Sequence, residues 1–142
     1  MVTLLGEGGS GGAIGIGIGD IILMMENAFY SVISPEGCAS ILLRDSSKAK
    51  LSAALLKLAP QNLLDFKVID RVVAEPPGGA HKDPGAAAAG LKAAIGESLE
   101  ALSRKSVDVL LSERQAKFLS MGVFGEKEMQ KKGFLQKLRD FF

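Results

Sequence analysis

Five glycines fall within residues 6–12, in the run Gly6-Glu7-Gly8-Gly9-Ser10-Gly11-Gly12. The run follows the apolar Val2-Thr3-Leu4-Leu5 and precedes Ile14-Gly15-Ile16-Gly17-Ile18-Gly19. That order predicts a strand, a glycine turn and then a buried helix of small residues. Glycine at such a turn admits φ > 0 and lets another group approach the backbone closely. A helix that opens there leaves its first N–H groups without carbonyl partners, so the turn favours an anion or a developing oxyanion. A P-loop is excluded, because no lysine occurs before Lys48. Gly6-x-Gly8-x-x-Gly11 fits the dinucleotide spacing, with Glu26 as the acidic residue roughly 20 positions on. However, Met24-Met25-Glu26-Asn27-Ala28 runs into Phe29-Tyr30-Ser31-Val32-Ile33, which reads as continued strand. A tight turn needed only for close helix packing stays open as the plain alternative.

Two further blocks follow in order: Tyr30-Ser31-Val32-Ile33-Ser34-Pro35-Glu36-Gly37-Cys38-Ala39, and Glu75-Pro76-Pro77-Gly78-Gly79-Ala80-His81-Lys82-Asp83-Pro84. With Gly6 to Ala13 they resemble the alpha-subunit family of the bacterial and plastid acetyl-CoA carboxylase carboxyltransferases. The family pattern reads G-E-G-G-S-G-G-A, then Y-S-V-I-S-P-E-G-C-A, then E-P-x-G-G-A-H-x-[DN]-P. Pro77 stands where leucine is usual. The resemblance runs from about Leu5 to Gly122.

The resemblance implies an α/β, crotonase-like (ClpP/crotonase) ββα spiral followed by C-terminal helices. It implies transfer of carboxylate from carboxybiotin to acetyl-CoA, giving malonyl-CoA for fatty acid biosynthesis. An enolate and an anionic biotin ureido group form on the way, and both need fixed donors. The implied oxyanion hole is the backbone N–H pair of Gly11 and Gly12, with Gly8, Gly9 and Ser10 shaping the turn against the substrate. A side chain at Gly11 or Gly12 is expected to push the substrate oxygen away or force the backbone out of its conformation. The implied partners are a zinc-ribbon beta subunit, the biotin carboxyl carrier protein and a second alpha subunit, in an alpha2-beta2 assembly. No cofactor or metal is implied for this chain itself. Family members carry roughly as much sequence again before the glycine turn, including a T-P-G-A-Y-P-G type loop. The chain is therefore expected to be a C-terminal portion, with a carboxyltransferase domain over 1–122 and an amphipathic tail over 123–142.

Composition agrees with one domain. Hydrophobic residues make up 47% of 142, enough for a core, and 17 basic against 16 acidic residues leave a net charge of +1. No bulk field points to nucleic acid. One cysteine and one histidine rule out an internal disulfide and a Cys/His zinc cluster within the chain. The run Ala13 to Met25 is broken by Asp20 and is too short to span a bilayer. The cytoplasm, or the plastid stroma, is the expected location.

Along the chain, Asp20 to Ile33 reads as a strand. Ser34 and Pro35 suit a helix start that runs to Leu43. Ser46 or Ser47 caps a helix over Lys48 to Leu58. Pro60 opens a turn through Phe66, and Val68 to Val73 reads as a strand. Gly78-Gly79 is a loop, Asp83-Pro84 opens an alanine-rich helix to about Leu102, and Ser106 caps a last helix to Met121. In the tail, Phe134, Leu135, Leu138, Phe141 and Phe142 share a helical face that docks on a partner or an anionic surface, or packs on its own domain.

Other residues carry less. His81 serves acid–base chemistry or fixes a loop. Glu7 reads as bonding within the turn, Glu36 as sitting at a helix N-terminus, and Cys38 as a small buried hydrophobe. Two other functions remain open: a carboxyltransferase for another acyl-CoA or a hydratase-like crotonase relative, and a non-catalytic assembly fragment that binds the beta subunit or a carboxylase neighbour.

Overall fold

The structure is a computed structural model, and it describes residues 1–122. The amphipathic tail expected over 123–142 lies outside the described residues. The described chain is mixed α/β, with two small parallel sheets.

Strand β3 (Ile22–Met25) is the centre of the first sheet, between β1 (Val2–Leu4) and β5 (Arg71–Val73), in the order β1-β3-β5. Val2 pairs with Ile22, and Leu23 pairs with Arg71, both in parallel register. All four β3 residues, Ile22-Leu23-Met24-Met25, are buried. A strand covered on both faces requires an unbroken apolar run, and this one has it. Leu63, Ile69, Val73, Ala87 and Ala94 complete the core around it. Each such leucine-sized side chain contributes roughly 1.5–3 kcal/mol on burial.

The second sheet pairs β2 (Glu7–Gly9) with β4 (Phe29–Ser31). This corrects two expectations. The glycine run is not all turn, because Glu7, Gly8 and Gly9 lie opposite Phe29, Tyr30 and Ser31. Nor is Asp20 to Ile33 one strand. The Ala28 N–H donates to the Met25 carbonyl at 3.1 Å, which turns the chain out of the first sheet. The Phe29 N–H then donates to the Gly6 carbonyl at 2.9 Å, which opens the second.

Helix α1 (Ser10–Ile16) follows β2 directly. It is not the buried helix expected: Ile14 and Ile16 are 52% and 78% exposed, and none of its residues is buried. Helix α2 (Pro35–Cys38) begins as expected, with the Ser34 hydroxyl accepting from Gly37 N–H at 3.1 Å. It continues as a π-helical stretch, Ala39–Leu43. The next cap is Asp45 rather than Ser46 or Ser47. Its carboxylate accepts from Ser47 N–H at 3.0 Å and from the Ser47 hydroxyl, ahead of a 3-10 turn and α3 (Ala49–Leu56). Pro60 opens a true helix, α4 (Pro60–Asp65). Asp83 caps α5 (Pro84–Ser103), accepting from Ala86 N–H at 2.9 Å, and the helix runs unbroken through Gly90 and Gly96. Ser106 caps α6 (Val107–Leu119). Among the described residues no helix is long and apolar enough to cross a membrane.

Candidate functional site

The glycine segment crosses from sheet to helix at Ser10, whose φ is 69°. Serine in the left-handed region costs about 1–2 kcal/mol, so the surrounding structure must hold it there. Its hydroxyl lies 3.4 Å from the Gly12 N–H, a long contact at the exposed first turn of α1. Gly9 supplies no side-chain cap, and first-turn amides have no carbonyl four residues earlier to bond. Gly11 and Gly12 are both exposed there.

What each glycine is for can be read from its surroundings. A Cβ on Gly8 would stand 2.8 Å from Leu4 Cδ2 and 2.9 Å from Tyr30 Cδ2, so Gly8 lets the two sheets close. A Cβ on Gly11 would meet nothing within 4 Å, and one on Gly12 would meet only the Ser10 hydroxyl at 3.7 Å. Neither has a positive φ. The expectation that a side chain there would force the backbone is therefore corrected: the backbone tolerates one. What these two glycines preserve is open space where their side chains would stand. An open groove of about 410 Å³ runs beside Gly12, lined also by Thr3, Leu4, Gly8, Ser10 and Ile16. A second, of about 470 Å³, lies on the other side of Gly9 and Ser10, toward Ser31, Val32 and Pro35.

Tyr30 supports this segment from below, a role the sequence reading did not assign. Its hydroxyl donates to the Ala13 carbonyl at 3.0 Å, in the middle of α1. Gly17, at the end of the helix, lies against the Tyr30 phenol, where a side chain would collide with it. Partial burial pushes the Tyr30 hydroxyl above its ordinary value, so it stays a donor throughout the neutral range. The available signal was that a half-buried tyrosine hydroxyl needs a partner.

The block at residues 75–84 forms a separate loop. The Glu75 carboxylate accepts from Asn27 N–H at 2.9 Å and Ala80 N–H at 2.7 Å. The Glu75 N–H in turn donates to Glu26 at 3.0 Å. The Asn27 backbone amide, its side chain, the Ala80 amide and nearby His81 hold the Glu75 carboxyl below the usual glutamate range. Pro77 precedes Gly78, whose φ is 87°, and the Gly79 N–H closes the turn on the Pro76 carbonyl at 2.8 Å. Proline followed by a left-handed glycine is what a type II turn requires. His81 is exposed and lines a cleft of about 570 Å³ with Glu26, Glu75 and Gly79. That cleft lies at the β3 and β5 strand ends, and none of the groove residues beside Gly12 lines it. Glu26 is tied to the loop in this way, and Gly8 and Gly9 lie in a strand, so the dinucleotide fingerprint is not formed.

Of the other residues, Glu36 lies in the first turn of α2 and Cys38 is buried, as expected. Glu7 differs: it is exposed on β2, and its carboxylate makes no hydrogen bond among the described residues. No group of three His, Cys, Asp or Glu side chains among the described residues could hold a metal ion.

Comparison with known proteins gives a consistent answer. A family profile described as acetyl co-enzyme A carboxylase carboxyltransferase-like matches residues 1–122. The chain is 54% identical over 126 residues to the acetyl-coenzyme A carboxylase carboxyl transferase subunit alpha of Treponema denticola, covering 89% of this chain and 41% of that one. The same subunit of Deinococcus radiodurans is 52% identical over 127 residues, covering 89% and 40%. That of Thermus thermophilus is 48% identical over 126 residues, with the same coverage. The chain spans about two fifths of the length of these curated relatives.

Proposed function

Because the chain belongs to the acetyl co-enzyme A carboxylase carboxyltransferase-like family, we propose that it carries part of a carboxyl-transfer site for acetyl-CoA. In this reading carboxybiotin, brought by a separate carrier protein, releases carbon dioxide and leaves an anionic biotin ureido nitrogen. That nitrogen takes a proton from the acetyl methyl group. The resulting enolate carbon attacks carbon dioxide, and malonyl-CoA and neutral biotin leave. Negative charge builds on the thioester oxygen as the methyl proton departs. The N–H groups of Gly11 and Gly12 hydrogen-bond that oxygen, and Gly8, Gly9 and Ser10 shape the wall beside it. Fixed donors of this kind act mainly on the transition state, where the charge develops.

The observation that carries the reading is the pair of exposed glycines that neither packing nor φ requires, the second of them lining an open groove. The alternation of β2, α1, β3 and β4 across two parallel sheets supports a crotonase-like spiral. His81 has no part in the proton transfers, since the biotin nitrogen acts as the base. The partners in this reading are a zinc-ribbon beta subunit, the biotin carrier and a second alpha subunit, and the setting is the cytoplasm or plastid stroma.

The test is Gly11→Val in the assembled carboxyltransferase. The valine side chain would hold the thioester oxygen away from the donor, and losing one such contact lowers kcat by roughly 10²–10³. Unchanged malonyl-CoA formation would remove the role assigned to Gly11. A second reading, a module that binds the beta subunit without catalysing, draws on the exposed Ile14, Ile16 and Ile18, of which Ile16 lines the groove. Capture of the beta subunit with no carboxyl transfer in the assembled enzyme would favour it.

A further inference from the structure

We infer that Tyr30 is a positioning residue for the carboxyl-transfer step, holding the first turn of α1, with its exposed Gly11 and Gly12 amides, in place beside the groove that Gly12 lines. The inference rests on the oxyanion reading above and deepens it.

Four contacts place Tyr30 between the two pieces that must be kept in register. Its backbone pairs with Gly8 on β2, the strand that leads into the glycine turn. Its ring lies against Gly8, where a Cβ would approach Cδ2 to 2.9 Å, and its phenol lies against Gly17 at the end of α1. Its hydroxyl donates to the Ala13 carbonyl at 3.0 Å, in the turn that follows Gly11 and Gly12. Strand, ring and hydroxyl thus tie the strand that precedes the helix to the middle and the C-terminal end of a seven-residue helix that buries none of its own side chains. So short a helix has little intrinsic stability, and its orientation depends on tertiary contacts. Tyr30 is the residue that supplies a directional one.

The Ala13 carbonyl also accepts from Gly17 N–H at 2.8 Å. Removing the Tyr30 hydroxyl therefore leaves no orphaned carbonyl, and the fold survives. What changes is the aim of the first-turn amides. A displacement near 1 Å is enough to cost about 10²-fold in rate, because donor geometry matters most at the transition state.

The experiment compares Tyr30→Phe with Gly11→Val in the intact carboxyltransferase that contains this chain. Steady-state kinetics are combined with amide hydrogen exchange and thermal melting. Tyr30→Phe is expected to lower kcat at least tenfold and to leave KM for acetyl-CoA within twofold. The α1 amides should exchange faster while the melting temperature barely moves. A kcat within twofold of the parent, with Gly11→Val inactive, would overturn the Tyr30 role and leave the oxyanion reading standing. A fall in kcat with α1 exchange unchanged would also overturn it. If Gly11→Val itself transfers carboxylate normally, the oxyanion reading fails and this inference fails with it. Tyr30→Leu, which also loses the ring, separates packing from the hydrogen bond: a melting loss confined to that variant is the expected result.

Discussion

Glycines look alike in a sequence, and the spacing of Gly6 to Gly12 alone did not tell structural ones from functional ones. Their surroundings do. Gly8 is needed because Leu4 and Tyr30 leave no room for a Cβ, whereas Gly11 faces open space. This predicts opposite behaviour for one substitution at two neighbouring sites. Gly8→Ala should destabilise by about 1–3 kcal/mol, the usual cost of overpacking. Gly11→Ala should leave unfolding unchanged or improve it by up to about 1 kcal/mol, since alanine favours helix, while slowing carboxyl transfer. Denaturant unfolding and an activity assay on both variants check the pair. Loss of stability at Gly11 without loss of rate would reverse the assignment. Tyr30 was within reach of the sequence as a half-buried polar side chain. Its partner was not, because the Ala13 carbonyl is 17 residues away and meets it only through the β2–β4 pairing.

Helix starts were legible because capping is local: Ser34, Asp83 and Ser106 each accept from an amide three residues on. Asp45 was missed for the serines beside it, although its carboxylate bonds both the amide and the hydroxyl of Ser47. The strand break at Glu26 to Ala28 was not legible, since no proline or glycine marks it. It is held across 48 and 49 residues, where the Glu75 carboxylate accepts from Asn27 N–H and the Glu75 N–H donates to the Glu26 carboxylate. This clasp sets a pH dependence. The folded carboxyl of Glu75 titrates below the usual glutamate value, so its contribution is present above that value and lost as pH falls through the folded one. An NMR titration should show the Asn27 and Ala80 amide protons constant near neutrality and shifting together only as the pH falls below the usual glutamate range. Glu75→Gln should give the acid-form shifts at neutral pH. Amides that ignore the titration would dissolve the clasp.

At the scale of the whole molecule, the last described helix is held by charge as well as by Phe118 packed against the core. Helix α6 buries none of its side chains fully. Lys117 pairs with Asp70 and donates to the Asp20 carbonyl at 3.2 Å, while Arg114 lies 3.6 Å from the Asp20 carboxylate. Asp70 also accepts from Ile22 N–H at 2.7 Å, so the cluster ties α6 to the central strand. Lys117→Ala should cost on the order of 1 kcal/mol in low salt and less near 1 M salt, where the screening length falls to about 3 Å. Unfolding at two ionic strengths reads this directly, and a salt-independent loss would point to packing instead. None of these ties was visible in the sequence, which supplied the fold class through its three motifs and not through long-range pairs. The parallel pairing also has a consequence in time. Among the described residues no hairpin exists in either sheet, so none of these strands can find its neighbour by a short turn. Val2 must wait for Ile22, and Leu23 for Arg71. During that wait Ile22-Leu23-Met24-Met25 is an apolar ribbon with unsatisfied edges, open to other chains as readily as to its own β5. Such non-local closure belongs to the slow end of folding, about milliseconds to seconds. The strand that makes the native core so dry is thus also the segment by which a newborn chain is most easily lost to aggregation.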